Sequence, residues 1–417
     1  MDFSGLEITA EKSKLFELAL EGPVALVKVD VLQTLLEKTV AMCRRDEMEV
    51  KYPELYWKEG DEVESATVAA LSYPWQTKLH PDPCNVTAHR VVAYLREHHK
   101  GALLFWDFLS LHSRVWDPEL QRKTVPGKEG REFKTDLALY YGNMSIDVMT
   151  VRCPWGPLHK QLQAVSERNE RPYSSRGWCF FESCASALKG YNDHGICDLP
   201  QTEDDGVTEA DTIAQREWNT DQRVPVSPKR FRQKLLEESA EGKSVLACTN
   251  QSDPAWLIHL YTRLACRRVG EISILDLSNI DLSVRKRLDQ LIDFLSFMTK
   301  LGKDGQTDAE AECEDKYVSL QGGKASSSAA LGSSAMSSTI SAPLLLPLGL
   351  IFLCGCNLDD PSLDHLFPVL LKLSPLCREK YGKGSGHRLG VGLRDNQRIS
   401  KESIERCKEQ GSPSLSM

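Results

Sequence analysis

The sequence predicts an α/β protein, with a parallel sheet flanked by helices, N-terminal helices before it and a smaller α/β region after it. Two observations carry this. Short apolar runs at Thr67–Ser72, Ala102–Trp106 and Ile146–Val151 alternate with amphipathic stretches. Strands separated by helices of that length imply a parallel sheet with right-handed crossovers. The chain has 417 residues, 41% of them apolar and 26% charged, an ordinary globular balance with room for more than one domain.

In chain order, residues 1–60 make an N-terminal helical segment: 1–50 read as helix in two pieces divided by Gly22-Pro23, with Leu15, Leu18 and Leu20 in the first, and 51–65 as a charged connection. In the second, Val24, Val27, Val31 and Leu35 recur at helical spacing. The main domain covers residues 61–200. Its first strand ends before Pro74, and Thr87 is placed to cap a helix whose apolar face is Ala88, Val91, Val92 and Leu95. Ala102–Trp106 is a continuous apolar run, as in a strand buried on both faces. Residues 112–130 read as a loop, and Phe133, Leu137, Tyr140, Tyr141 and Met144 as a second amphipathic helix. The strand Ile146–Val151 follows, then a long loop and a helix from Trp178 to Leu188.

Residues 201–301 read as an α/β extension: a helix around Phe231, Leu235 and Leu236, a short strand Ser244–Cys248, a helix through Trp256–Leu264, a strand Ile272–Leu277 and a helix Leu288–Met298. Two stretches resemble leucine-rich-repeat strands. Leu348, Ile351, Leu353, Cys356 and Leu358 fit the spacing L-x-x-L-x-L-x-x-C-x-L, and Ile272, Leu275, Leu277 and Leu282 fit it except at Ile280. Stacked repeats need about three copies, so two separated ones make at best a fragment, here 343–378. Residues 302–342, rich in Ser and Ala, read as a disordered linker, and 379–417 as a disordered tail.

A net charge of -8 argues against a nucleic-acid or anionic-membrane partner. The 13 cysteines form no paired Cys-x-x-Cys set and no zinc ligand group, so no metal is expected. Cys179 and Cys184, like Cys354 and Cys356, read as small buried hydrophobes, and a thiol enzyme built on Cys179 is remote. The run Ala342–Cys354 is shorter than the roughly 20 residues a membrane span needs. With no signal-peptide pattern at the start, a cytoplasmic location with reduced thiols is expected.

Three segments fall at predicted strand or helix ends, where ligands bind in open parallel sheets. In Ala-Leu-Ser-Tyr-Pro-Trp, Ser72 offers a hydroxyl and Trp75 a flat face; the plainer alternative is a turn with its Trp packed on the sheet edge. Asp107 directly follows a buried strand, where it is either used or caps the next turn. In Tyr-Ser-Ser-Arg-Gly-Trp-Cys-Phe-Phe-Glu-Ser, Glu182 is read in the first turns of a helix, either steadying the dipole or aimed into a cleft. Arg176 is a candidate phosphate or carboxylate clamp.

Leu71-Ser72-Tyr73-x-Trp75, the strand ending in Asp107 before Leu109-Ser110-Leu111, and Arg176-Gly177-Trp178 with Glu182 stand in the order of three signature blocks. Together they resemble the heterokaryon-incompatibility domain of the TIR-like fold, over residues 66–190. The sequence departs from that family at Gln76, at Ser110–Ser113 and at Phe181. The resemblance implies a TIR-like, flavodoxin-like parallel sheet and an intracellular signalling or interaction domain. Such a domain acts through protein partners, self-association or a nucleotide ligand. It also implies an alternative, an NAD glycohydrolase with Glu182 catalytic and Ser72, Trp75, Asp107, Arg176 and Trp178 around the ligand. NAD is then a substrate, and no cofactor is needed.

Overall fold

A computed structural model describes residues 16, 19, 24–61, 68–77, 80–111, 115–117, 122–124, 146–150, 171–189, 196–199, 223–248, 253–304, 346–377, 389–410 and 414–416. Leu15, Leu18, Leu20, the helix through Phe133–Met144 and the linker from 305 lie outside the described residues. The chain is a mixed α/β protein in two compact units. The first holds Met1–Ser186 and His194–Asn219; the second holds Ala187–Asp193 and Thr220–Met417.

In the first unit, β1 (Val27–Lys28) leads directly into α1 (Val29–Glu37), and α2 (Arg45–Lys51) follows. Then come β2 (Val68–Ser72), α3 (Val86–His98), β3 (Leu103–Phe105) and a single-turn α4 (Asp107–Ser110). A small antiparallel pair, β4 (Val115–Asp117) and β5 (Arg122–Thr124), lies within the segment expected to be loop. β6 (Ile146–Thr150), α5 (Gly177–Ala187) and β7 (Ile196–Asp198) complete the unit.

Five strands form one sheet in the order β1-β3-β2-β6-β7. The pairs β2–β3, β2–β6 and β6–β7 are parallel, while β1 runs antiparallel to β3, with Val27 opposite Leu104. The parallel strands are therefore not in chain order: from β2 the chain steps to β3 on one side, then crosses to β6 on the other. Every residue of β2 is buried, as a central parallel strand requires. The core gathers Leu32 and Leu36 of α1, Val91 and Leu95 of α3, Leu71 of β2, Leu104 of β3, and Trp106.

Two expectations are corrected here. Val24–Lys28 is not helical; Val24 and Val27 are buried because this stretch extends along the sheet edge, and the helix starts at Val29. Thr87 does not cap α3. Asn85 takes the cap position with φ of 56°, and Asp82 Oδ2 accepts the Ala88 amide at 2.8 Å, meeting one of the helix's unpaired donors.

The second unit opens with α6 (Pro228–Leu235), whose N-cap Ser227 accepts the Arg230 amide, and α7 (Asp253–Val269). Phe231 stacks on Tyr261 with ring centroids 4.1 Å apart. The expected strand Ser244–Cys248 is reduced to an isolated bridge between Glu238 and Ser244. Strand and helix then alternate: β8 (Ile274–Asp276), α8 (Arg285–Asp304), β9 (Leu350–Phe352), α9 (Asp360–Leu373), β10 (Gly390–Gly392), α10 (Lys401–Glu409) and β11 (Ser414–Ser416). All four strands are parallel, in the order β11-β10-β9-β8.

The register makes the repetition explicit. Leu275, Ile351 and Val391 are paired across the sheet, and Asp276, Phe352 and Gly392 beside them. Three positions after each strand a residue adopts a left-handed backbone: Asn279 (φ 63°), Gly355 (φ 64°) and Asp395 (φ 62°). Gly, Asn and Asp are the residues that tolerate this conformation. Residues 389–410, read above as disordered tail, instead supply the third strand–turn–helix unit. Leu389, Val391 and Leu393 are all buried.

Candidate functional site

β2 ends at Ser72, where Pro74 turns the chain away from the sheet. Ser72 is fully buried, and its hydroxyl donates a short hydrogen bond to the Glu182 carboxylate, from a position 110 residues away in the sequence. The same oxygen lies 2.5 Å from the Tyr173 hydroxyl, which in turn lies 3.2 Å from Ser183 Oγ. A hydroxyl has one proton. Since Ser72 gives its proton to the carboxylate, Tyr173 must donate to Ser72 and Ser183 to Tyr173. The row of hydroxyls is thereby oriented toward Glu182. Burial, reinforced by Cys179 and Glu182, holds the Tyr173 phenol well above its ordinary pKa, so it stays a donor.

Helix α5 carries Glu182. Phe180, Phe181, Cys184 and Ala185 are buried and fix the helix, while Glu182 is only half-buried. Glu182 is the sixth helical residue and so lies beyond the unpaired amides of the first turn. The dipole-steadying alternative is corrected accordingly. What holds this carboxylate is the Ser72 hydroxyl.

A second cluster surrounds Asp107, the first residue of α4. Its Oδ1 accepts from the Tyr73 hydroxyl at 2.9 Å and from the Phe108 amide at 2.7 Å, so it both steadies its own turn and holds the residue next to Ser72. Burial pushes the Asp107 carboxyl up, against the opposing pull of Tyr73, the Phe108 amide, the Trp75 indole and Arg44. Trp75 is half-buried and meets Phe108 edge-on at 6.1 Å.

Arg176 ties the first and third motifs together, through backbone. Its Nη1 donates to the Trp75 carbonyl at 3.2 Å, and Nε and Nη2 donate to the Arg171 carbonyl at 3.0 and 2.6 Å. Three of its five N–H donors are thus engaged by carbonyls, which makes it a latch between loops. Trp178 is half-buried and packs edge-on against Phe181 at 6.1 Å.

Ser72 and Glu182 meet directly. Asp107 joins them through Tyr73, the residue next to Ser72, and not by touching Glu182. The Cys179 thiol contacts the Tyr73 carbonyl at 3.8 Å, and burial raises its pKa well above the ordinary thiol range, which removes it as a nucleophile. Tyr73 and Tyr173 are the members of this hydrogen-bonded cluster that sequence reasoning passed over. Both stood inside the quoted motifs, but a tyrosine there reads as packing until its hydroxyl finds a carboxylate or serine. Among the described residues no cluster of three or more His, Cys, Asp or Glu could hold a metal ion, and no helix is long and apolar enough to cross a membrane.

No family model, curated protein or solved structure matches the chain.

Proposed function

We propose that the first unit is an intracellular signalling domain of the TIR-like, flavodoxin-like class that binds a nucleotide ligand at the carboxyl end of β2. The observation that carries this is the Glu182–Ser72–Tyr173 row at that strand end. The strand order supports it. In doubly wound sheets, ligands bind where successive crossovers leave a strand in opposite directions, and β2 is that strand here, flanked by β3 and β6. An oriented, half-buried carboxylate is suited to receive a pair of sugar hydroxyls, displacing or joining the Ser72 proton. Self-association is the accompanying mode of action, and the repeat-like strands of the second unit fit a leucine-rich-repeat-like scaffold for a protein partner.

A second reading, hydrolysis of NAD, is favoured by the same carboxylate. The C–N bond between ribose and nicotinamide breaks with its electron pair leaving on nicotinamide. Glu182 stabilises the oxocarbenium-like carbon, and water adds there and releases a proton. Nicotinamide departs neutral, so no strong general acid is required.

The full chain, incubated with NAD or ADP-ribose, is expected to bind both, with at least roughly tenfold loss in Glu182→Gln, about the worth of one charge-assisted bond. Nicotinamide released by the wild type and not by the variant establishes the second reading. Absence of both binding and release at high protein concentration overturns the ligand site.

A further inference from the structure

We propose that Trp75, Phe108 and Asp107 form a recognition site for a planar organic cation, and that the chain's own Arg44 occupies it as an intramolecular stand-in. The Arg44 guanidinium carbon lies 5.7 Å from the centroid of the Trp75 ring and 5.7 Å from that of Phe108. Both lie within the distance at which a ring face attracts a cation. The two rings stand at 88° to each other, so they form two walls of a corner rather than a single surface. Asp107, steadied by Tyr73 and the Phe108 amide, supplies the negative charge beside that corner. His80 packs against Phe108 at a ring distance of 4.7 Å and is itself pinned to the Met42 carbonyl.

The walls are fixed and the occupant is not. Phe108 is buried, Trp75 is tied through its carbonyl to Arg176, and Tyr73 is buried. Arg44 is exposed, and as the N-cap residue of α2 it has an extended backbone and no capping bond. Its side chain can swing out without breaking a helical turn. Exchanging it for another delocalised cation leaves the charge balance with Asp107 unchanged, so the exchange avoids the cost of stranding a half-buried carboxylate. A compact ammonium would satisfy Asp107 but lie less well on two ring faces, which favours a planar ion.

The ligand chemistry has two sources: the guanidinium of an arginine in a partner peptide, or the pyridinium ring of an oxidised nicotinamide nucleotide. The site uses neither Ser72 nor Glu182, so absence of NAD turnover in the experiment above leaves it standing, and absence of NAD binding excludes the pyridinium source alone.

The test titrates the full chain, wild type and Arg44→Ala, with three probes: N1-methylnicotinamide cation, N-acetyl-arginine methylamide and neutral nicotinamide. Tryptophan fluorescence reports binding, and Trp75→Phe identifies the signal. Removing the internal competitor is expected to tighten cation binding about tenfold, the gain when a site otherwise about nine-tenths self-occupied becomes free. Adding Asp107→Asn to Arg44→Ala is expected to abolish that gain, and Arg44→Lys to give an intermediate affinity. The tighter of the two cationic probes identifies the source. Equal affinity in wild type and Arg44→Ala overturns the proposal, as does neutral nicotinamide binding as tightly as its methylated cation.

Discussion

The parallel strands of the first unit run β3-β2-β6-β7, out of chain order, whereas those of the second run β11-β10-β9-β8, in strict sequence. The polar groups inside the two units differ in step. In the turns that follow the second unit's parallel strands, they are spent on backbone. Asn396 donates to the carbonyls of Leu353 at 2.6 Å and Leu393 at 2.9 Å and accepts the Leu358 amide at 3.1 Å; Cys356 points its thiol at the Leu277 carbonyl. At the carboxyl end of β2 in the first, they are spent largely on each other: Ser72 on Glu182, Tyr73 on Asp107, Tyr173 on Ser72 and Ser183. A sequential stack presents the same turn at each level, and one side chain per level completes it. A reversing order separates neighbouring loops and brings distant segments together at one strand end. Side chains that bond to side chains can exchange those bonds for a ligand's; side chains that complete a turn cannot.

The largest expected effect breaks the comparison if it fails. Asn396→Ala leaves two buried carbonyls and one buried amide without their partner, at about 1–3 kcal/mol for each unsatisfied group. A loss of at least about 3 kcal/mol in urea unfolding is expected, together with faster hydrogen exchange in β9 and β10. Glu182→Gln, which still offers Ser72 an acceptor, is expected to cost under about 1 kcal/mol while removing ligand binding. Equal destabilisation by the two variants would erase the distinction between turn-completing and site-forming groups.

A smaller effect sharpens the account of the repeat. Gly355 has φ of 64°, and a Cβ placed on it would lie 2.7 Å from Asn279 Oδ1, its counterpart one level away. Gly355→Ala is expected to cost about 1–2 kcal/mol, the left-handed penalty for an L residue. Gly355→Asn, a residue already accepted at the equivalent Asn279, tests whether conformation or contact dominates. If Asn is as costly as Ala, the close approach of the side chain is responsible and not φ.

How much of this was legible depends on which interactions write themselves into local pattern. Continuous apolar runs and helical spacing located β2, β3, β6, α3 and α5 to within a few residues and found the middles of α7 and α8, because burial sets both; α8 runs on to Asp304, past the start at 302 of the expected linker. The edge strand β1 was read as helix since Val24, Val27 and Val31 happen to recur at helical steps, and only pairing with Leu103 and Leu104 reveals it. The third repeat was hidden by its strand, Gly390-Val391-Gly392, which carries one apolar side chain. The glycines are small because Leu350 and Phe352 of β9 lean over them, with a notional Cβ at 2.8 and 2.9 Å. Asp395-Asn396 was the available signal: a residue that tolerates the left-handed turn beside the asparagine that completes it. At the site, Ser72, Asp107 and Glu182 were found from strand ends and motif order. Tyr73 and Tyr173 were not, since a hydroxyl's partner 34 positions away for the one and 101 for the other leaves no local trace.

The smallest expected effect is a pH dependence that separates Asp107 from an ordinary surface carboxylate. Burial raises its folded-state pKa above the ordinary value of 3.8. Between those two values the folded protein binds more protons than the unfolded chain, so stability falls as pH rises through that window. This is the reverse of a salt-bridged aspartate, whose stabilisation is lost as pH falls. Asp107→Asn keeps an acceptor for Tyr73 and the Phe108 amide but cannot ionise. The unfolding free energy of Asp107→Asn relative to wild type is therefore expected to rise from about pH 4 upward and then level off above the folded-state pKa. A constant difference across that range would mean that Tyr73, the Phe108 amide and Arg44 offset the burial entirely. Asp107 would then be an ordinary turn cap rather than a carboxylate held ready for a cation.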